Sequence, residues 1–127
     1  MPTSKEVVRD FVAAINSHEI QRIADLCTPQ HRFVDSLGAV VTGRGALRNA
    51  WAAYLDMFPN YTVTIDSMVE SDDLVLLSGW AAGALRAGGA SWRIPAAWRA
   101  QVRDNLIDSW QVFADNKPVY ELLRRDV

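Results

Sequence analysis

The 127-residue chain has a single cysteine, Cys27, so it cannot form an internal disulfide. Cys27 follows Leu26 in an apolar helical pattern and reads as buried packing rather than a reactive thiol. Histidine is almost as scarce, with only His18 and His31. So few and so scattered nitrogen and sulfur ligands give no expectation of a transition-metal site. No apolar run approaches the roughly 20 residues of a membrane helix. Met1 to Glu6 lack the basic and apolar regions of a signal peptide, so a cytoplasmic location and no membrane contact are expected. Charge of one sign is also lacking: the net charge is −2 and the basic residues are scattered, which disfavours nucleic acid as a partner. Gly43-Arg44-Gly45 is followed by Ala46, and Gly88-Gly89 reads as a hairpin turn. Neither forms a phosphate-binding loop, so no cofactor is expected.

What is present is ordinary globular composition, 50% hydrophobic and 22% charged, in a length suited to one domain over residues 1–127. The five tryptophans are unusual, each a large rigid surface with one N–H donor. Thr3 and Glu6 have capping-box spacing, and Val7, Val8, Phe11, Val12 and Ile15 then fall on one helical face. A second short helix is expected to carry Ile20, Ile23, Ala24 and Leu26-Cys27, with Pro29 ending it. From His31 the period becomes two, placing His31, Phe33 and Asp35 on one strand face. A third helix starts near Gly43 and Gly45, presents Leu47, Trp51, Tyr54 and Phe58, and closes at Pro59.

An antiparallel meander is expected to follow. Tyr61, Val63 and Ile65 alternate with polar residues, and a long strand runs from Leu74 to Leu85. Arg86 to Ser91 turns the chain. Trp92, Ile94, Ala96, Trp98, Ala100 and Val102 then alternate against polar neighbours. Asp104-Asn105 turns into a last strand, Leu106 to Asp115, before a short tail. Helices followed by a meander imply an α+β fold. Long strands with small residues midway imply strong curvature, so three N-terminal helices would pack on a curved antiparallel sheet enclosing a pocket.

Three ordered segments carry a resemblance: VVRDFVAAINSHEIQRIADLC, FVDSLGAVVTGRGALRNAW and RDNLIDSWQVFAD. In order and spacing the chain resembles the nuclear transport factor 2-like superfamily, and within it the SnoaL-like group. The resemblance implies a cone-shaped fold and an activity drawn from isomerases, cyclases, epoxide hydrolases, dehydratases or non-catalytic binders. In ketosteroid-isomerase-like members, the position matching Asp35 holds the proton-shuttling Asp. The oxyanion tyrosine matches Phe11, and the second acid falls near Ala97-Trp98. Asp115 matches a water-holding Asp of limonene-epoxide-hydrolase-like members, whose Arg-x-Asp falls in Trp80 to Ala84. Phe33 and Asp35 match the tyrosine and asparagine that help to hold that water. The acid-base Asp of the SnoaL cyclase matches Val112. No complete catalytic set is carried over.

The candidate catalytic residues are thus Asp35, Asp115 and His31. Asp35 is either an inward carboxylate made basic by desolvation or a turn residue accepting backbone N–H bonds near Leu37-Gly38. Asp115 is either a second pocket acid or a cap tying the last strand to the tail. Asp108 has the opposite parity on that strand. His31 lies roughly 13 Å of extended chain from Asp35, either a proton shuttle or a strand-mouth histidine bonded to backbone. Phe11, Phe33, Trp51, Tyr54, Phe58, Trp80, Trp98 and Trp110 are candidate contacts for a flat hydrophobic ligand, or core. The leading expectation is a cofactor-independent acid-base enzyme acting on a small apolar carbonyl or polycyclic compound. The alternatives are a ligand-binding domain and a dimerisation module. A homodimer is expected through the outer sheet face bearing Arg93, Arg99, Gln101 and Arg103.

Overall fold

The computed structural model describes residues 2–86 and 89–125. Thr3 caps the first helix, α1 (Ser4–Asn16), by accepting from the Glu6 amide at 3.2 Å. The apolar stripe read from the sequence is buried, with Val8, Phe11 and Ile15 fully enclosed. At the far end, Asn16 bonds both the N–H and the C=O of Val63, fixing the helix against the sheet.

The second helix, α2 (Ile20–Asp25), is shorter than expected. The chain is already extended at Cys27, and Pro29 lies inside strand β1 (Cys27–Val34) instead of ending a helix. The register of β1 against its neighbour shifts between Cys27 and Arg32. Pro29 falls in that irregular stretch, where its missing donor interrupts no regular ladder. A short strand β2 (Val40–Thr42) precedes helix α3 (Arg44–Met57). The meander is β3 (Thr62–Ser71), β4 (Leu74–Ala84), β5 (Ser91–Arg103) and β6 (Leu106–Ala114). Of the turn expected between β4 and β5, Ala87 and Gly88 lie outside the described residues.

Two features differ from the expected architecture. The sheet, ordered β2-β1-β6-β5-β4-β3, is mixed, because β1 pairs parallel with β6. Neighbours so distant in sequence can pair in parallel because the intervening chain supplies the long crossover. The expected short tail also forms a fourth helix, α4 (Lys117–Arg125). Asp115 starts it by accepting from the Lys117 amide at 3.0 Å, and Pro118 is tolerated in a first turn whose amides lack helical acceptors.

The sheet is curved by identifiable devices. In β3 the register slips between Ile65 and Ser67, opposite Ser78-Gly79 of β4. A Cβ on Gly79 would lie 1.8 Å from the Thr64 carbonyl oxygen, so the strands approach more closely than a side chain permits. Asp104 and Asn105, with φ of 52° and 64°, form a two-residue turn whose twist matches the flanking strands. The inward faces of β4, β5 and β6 meet α1 and α3, and Trp98 and Trp110 stack in that core with centroids 6.2 Å apart.

Candidate functional site: an aromatic cavity with one carboxylate

Between α3, α4 and the concave face of the sheet lies a cavity of about 390 Å³, within the range of small-molecule sites. Its wall draws chiefly on β1, α3, the meander and α4. From β1 come Phe33 and Asp35, the latter one residue beyond the strand. From α3 come Trp51, Tyr54 and Phe58, spaced three and four residues apart on one face. From the meander come Trp92, Trp98 and Trp110, inward by strand parity, and just before it Tyr61. The rings pack edge to face in a continuous chain: Phe33 to Trp51 at 6.1 Å, Trp51 to Tyr54 at 6.2 Å, Tyr54 to Tyr61 at 5.0 Å. Such pairing holds each ring in place and leaves the wall stiff.

Among the described lining residues, Asp35 is the only one that carries a charge. Its Oδ1 accepts from the amides of Leu37 and Ala39, both at 2.9 Å. The backbone closes the same turn, with the Asp35 amide donating to the Ala39 carbonyl at 2.9 Å. Gly38 supplies the positive φ of 86° that this tight turn requires. One carboxylate oxygen is therefore a structural anchor, and Oδ2 is the oxygen left for a ligand. Beside it, Asn116 donates to the Ser36 hydroxyl, joining the turn to the start of α4. From α4, Val119, Tyr120 and Leu123 complete the wall.

Seven of the residues singled out from the sequence line the cavity: Asp35, Phe33, Trp51, Tyr54, Phe58, Trp98 and Trp110. Four do not. His31 is fully buried behind the wall, with Nδ1 at 2.8 Å from the Ile107 carbonyl and Nε2 without a partner among the described residues. Burial in apolar surroundings pushes its pKa below the ordinary histidine value, against the weaker upward pull of that carbonyl and of Asp108. Phe11 is enclosed between His31 and Trp110, with centroids at 6.5 and 5.0 Å. Trp80 has the parity opposite to the lining residue Ala81 and faces outward, under the Arg93 guanidinium at 3.8 Å. Asp115 caps α4. Asp108 turns to β1 and accepts from the Thr28 hydroxyl at 2.8 Å.

Cys27 lies in the core, where its thiol donates to the Ile23 carbonyl and burial pushes its pKa up to about 12. On the outer sheet face, Leu76 and Phe113 are each about half exposed, at 46% and 50%. This is the face expected to meet a second copy.

The residues that sequence reasoning missed are Tyr61, Trp92 and the α4 contributors. Tyr61 and Trp92 were visible as inward members of alternating strands. Nothing local to residues 117–125 shows that this helix closes a wall made elsewhere. Burial pushes the phenol pKa values of Tyr54 and Tyr61 well above the ordinary range, and each is raised further by a neighbouring phenol, Tyr120 for Tyr54 and Tyr54 for Tyr61. Both are protonated donors at any physiological pH.

Comparison with solved structures returns this architecture repeatedly. An NTF2-like protein from Burkholderia thailandensis is 20% identical, with a TM-score of 0.83 over 97% of this chain and 98% of that one. IdmH from Streptomyces antibioticus, a candidate polyketide cyclase, is 20% identical, with a TM-score of 0.79 over 99% and 100% of the two chains. A ketosteroid-isomerase-like protein from Catenulispora acidiphila, solved with trimethylamine, is 25% identical, with a TM-score of 0.78 over 85% and 84%. No curated protein matches the chain significantly. The family model of the SnoaL-like domain matches residues 8–110, most of the chain and most of the cavity wall, and the protein belongs to that family.

Proposed function

We propose that the cavity holds a flat, largely apolar small molecule and that Asp35 accepts or relays a proton from it, without a cofactor. The observation that carries this reading is the lone carboxylate in an aromatic wall. A ligand filling the cavity excludes water from around Asp35 and brings its reacting proton against the carboxylate. Because Oδ1 is already fixed by two amides, no side-chain ordering is required when the ligand arrives. Isomerisation, cyclisation and dehydration all need such a positioned base. The candidate polyketide cyclase among the structural neighbours lends the same direction of support.

The same two amide bonds favour a second reading, a binding domain in which Asp35 serves the turn alone. Proton exchange separates the two. A small bicyclic ketone with acidic α-protons, 2-tetralone, is incubated with the protein in D2O and followed by NMR. Accelerated exchange at C1 supports proton transfer, whereas binding without exchange supports the second reading.

A further inference from the structure

We infer that Tyr54 and Tyr61 act as a paired hydrogen-bond donor that grips a neutral acceptor oxygen, such as a ring carbonyl, on a flat fused-ring ligand. This deepens the proposal above and rests on the cavity being a ligand site.

Three observations lead to it. The two rings meet edge to face at 5.0 Å, one from α3 and the other from the start of the meander, and both line the cavity. Neither phenol hydroxyl has a hydrogen-bond partner among the described residues. Among the described residues, the buried polar side-chain atoms sealed without a partner are His31 Nε2, Trp51 Nε1 and Trp92 Nε1; the two phenol oxygens, on residues that line the cavity, are not among them. The Trp51 and Trp92 indole donors are therefore closed off, whereas the two phenols are donors a ligand can reach. A donor enclosed in an apolar wall with no acceptor loses its water bonds, so the wall is complete only when a ligand brings the acceptor.

The charge pattern narrows the acceptor. Asp35 is the one charge in the described wall, with no lining Lys or Arg. An anionic ligand would meet a like charge without a counter-charge, whereas a neutral carbonyl meets two protonated phenols. Burial of both phenols keeps them as donors rather than bases. The aromatic walls set the shape of the rest of the ligand, since stacked and edge-on rings accommodate a flat framework.

The test compares 9-fluorenone with fluorene, which share size and flatness and differ in the carbonyl, by equilibrium dialysis against the full chain. Fluorenone is expected to bind more tightly by about tenfold, the effect of one or two neutral hydrogen bonds. The double variant Tyr54→Phe/Tyr61→Phe is expected to erase that preference while fluorene affinity is retained. The carbonyl stretch of bound fluorenone is expected at lower frequency in the wild type than in the double variant, which a packing role alone would not produce. Equal affinities in the wild type, or a preference that survives in the double variant, would overturn this inference and leave the ligand cavity standing. Failure of both probes to bind would overturn the cavity proposal and this inference with it. A tetramethylammonium probe that displaces fluorenone at equal concentration would assign the wall to a cation and also overturn it.

Discussion

His31 and Ile107 are joined across the sheet by a 2.8 Å contact between Nδ1 and the carbonyl oxygen. A carbonyl only accepts, so the ring proton sits on Nδ1 and the buried Nε2 is unprotonated. The ring is neutral, and protonation would place a charge in a core shared with Phe11.

This arrangement predicts an acid-labile fold. The folded pKa of His31 lies below the unfolded value, so the unfolded chain takes up the proton first as pH falls. The stability contributed by neutral His31 is fully present above about pH 6.5 and is lost as pH drops toward the folded value. Urea unfolding at pH 7.5 and pH 5.5 should show the loss. His31→Asn keeps a donor for Ile107 and removes the titration, so the pH dependence should flatten in that variant. An unchanged slope would place the acid sensitivity elsewhere.

Gly79 and Gly45 should respond oppositely to alanine. A Cβ at Gly79 collides with the Thr64 carbonyl, which cannot move without breaking the β3–β4 pairing. Gly79→Ala should cost about 3 kcal/mol or fail to fold. Gly45 lies in α3 with open space around a Cβ, so Gly45→Ala should be neutral or stabilise by up to about 1 kcal/mol. Chemical denaturation of the pair checks both.

Asp115 should prove to be a cap. Asp115→Ala removes the acceptor for the Lys117 amide and should weaken α4 by about 1 kcal/mol, seen as faster amide exchange over residues 117–125. Asp115→Asn retains an acceptor oxygen and should leave both exchange and any proton-transfer rate near wild type. A large loss of rate in Asp115→Asn would return this residue to the chemistry.

Much of this was legible from local patterns, and the exceptions share a cause. Periodicity located α1, α3 and the meander, because burial of one face writes itself into spacing. It also put Phe33 and Asp35 on the cavity side. The parallel pairing of β1 with β6 depends on contacts 76 to 80 residues apart, such as His31 with Ile107 and Thr28 with Asp108, which no window can register. Parity alone grouped His31 with Asp35, but the strand runs from core to rim, so the same face is sealed behind Phe11 at one end and open at the other. Trp80 was misplaced for a related reason. Its strand is small-residue and apolar on both faces, so hydrophobicity did not reveal that Arg93 covers it from outside. Helix α4 was read as a tail because nine residues show little more than two turns of pattern.

The central claim is that Asp35 performs chemistry on a ligand held in the aromatic cavity. Asp35→Asn is the direct test, since the amide oxygen can still accept from Leu37 and Ala39 and preserve the turn while the base is lost. Deuterium exchange at C1 of 2-tetralone should be accelerated by the wild type. In the variant it should fall by about 10²-fold or more, with 2-tetralone affinity by equilibrium dialysis unchanged. Equal exchange rates in the two proteins would contradict the account, and binding without exchange in the wild type would leave the cavity as a site of recognition alone.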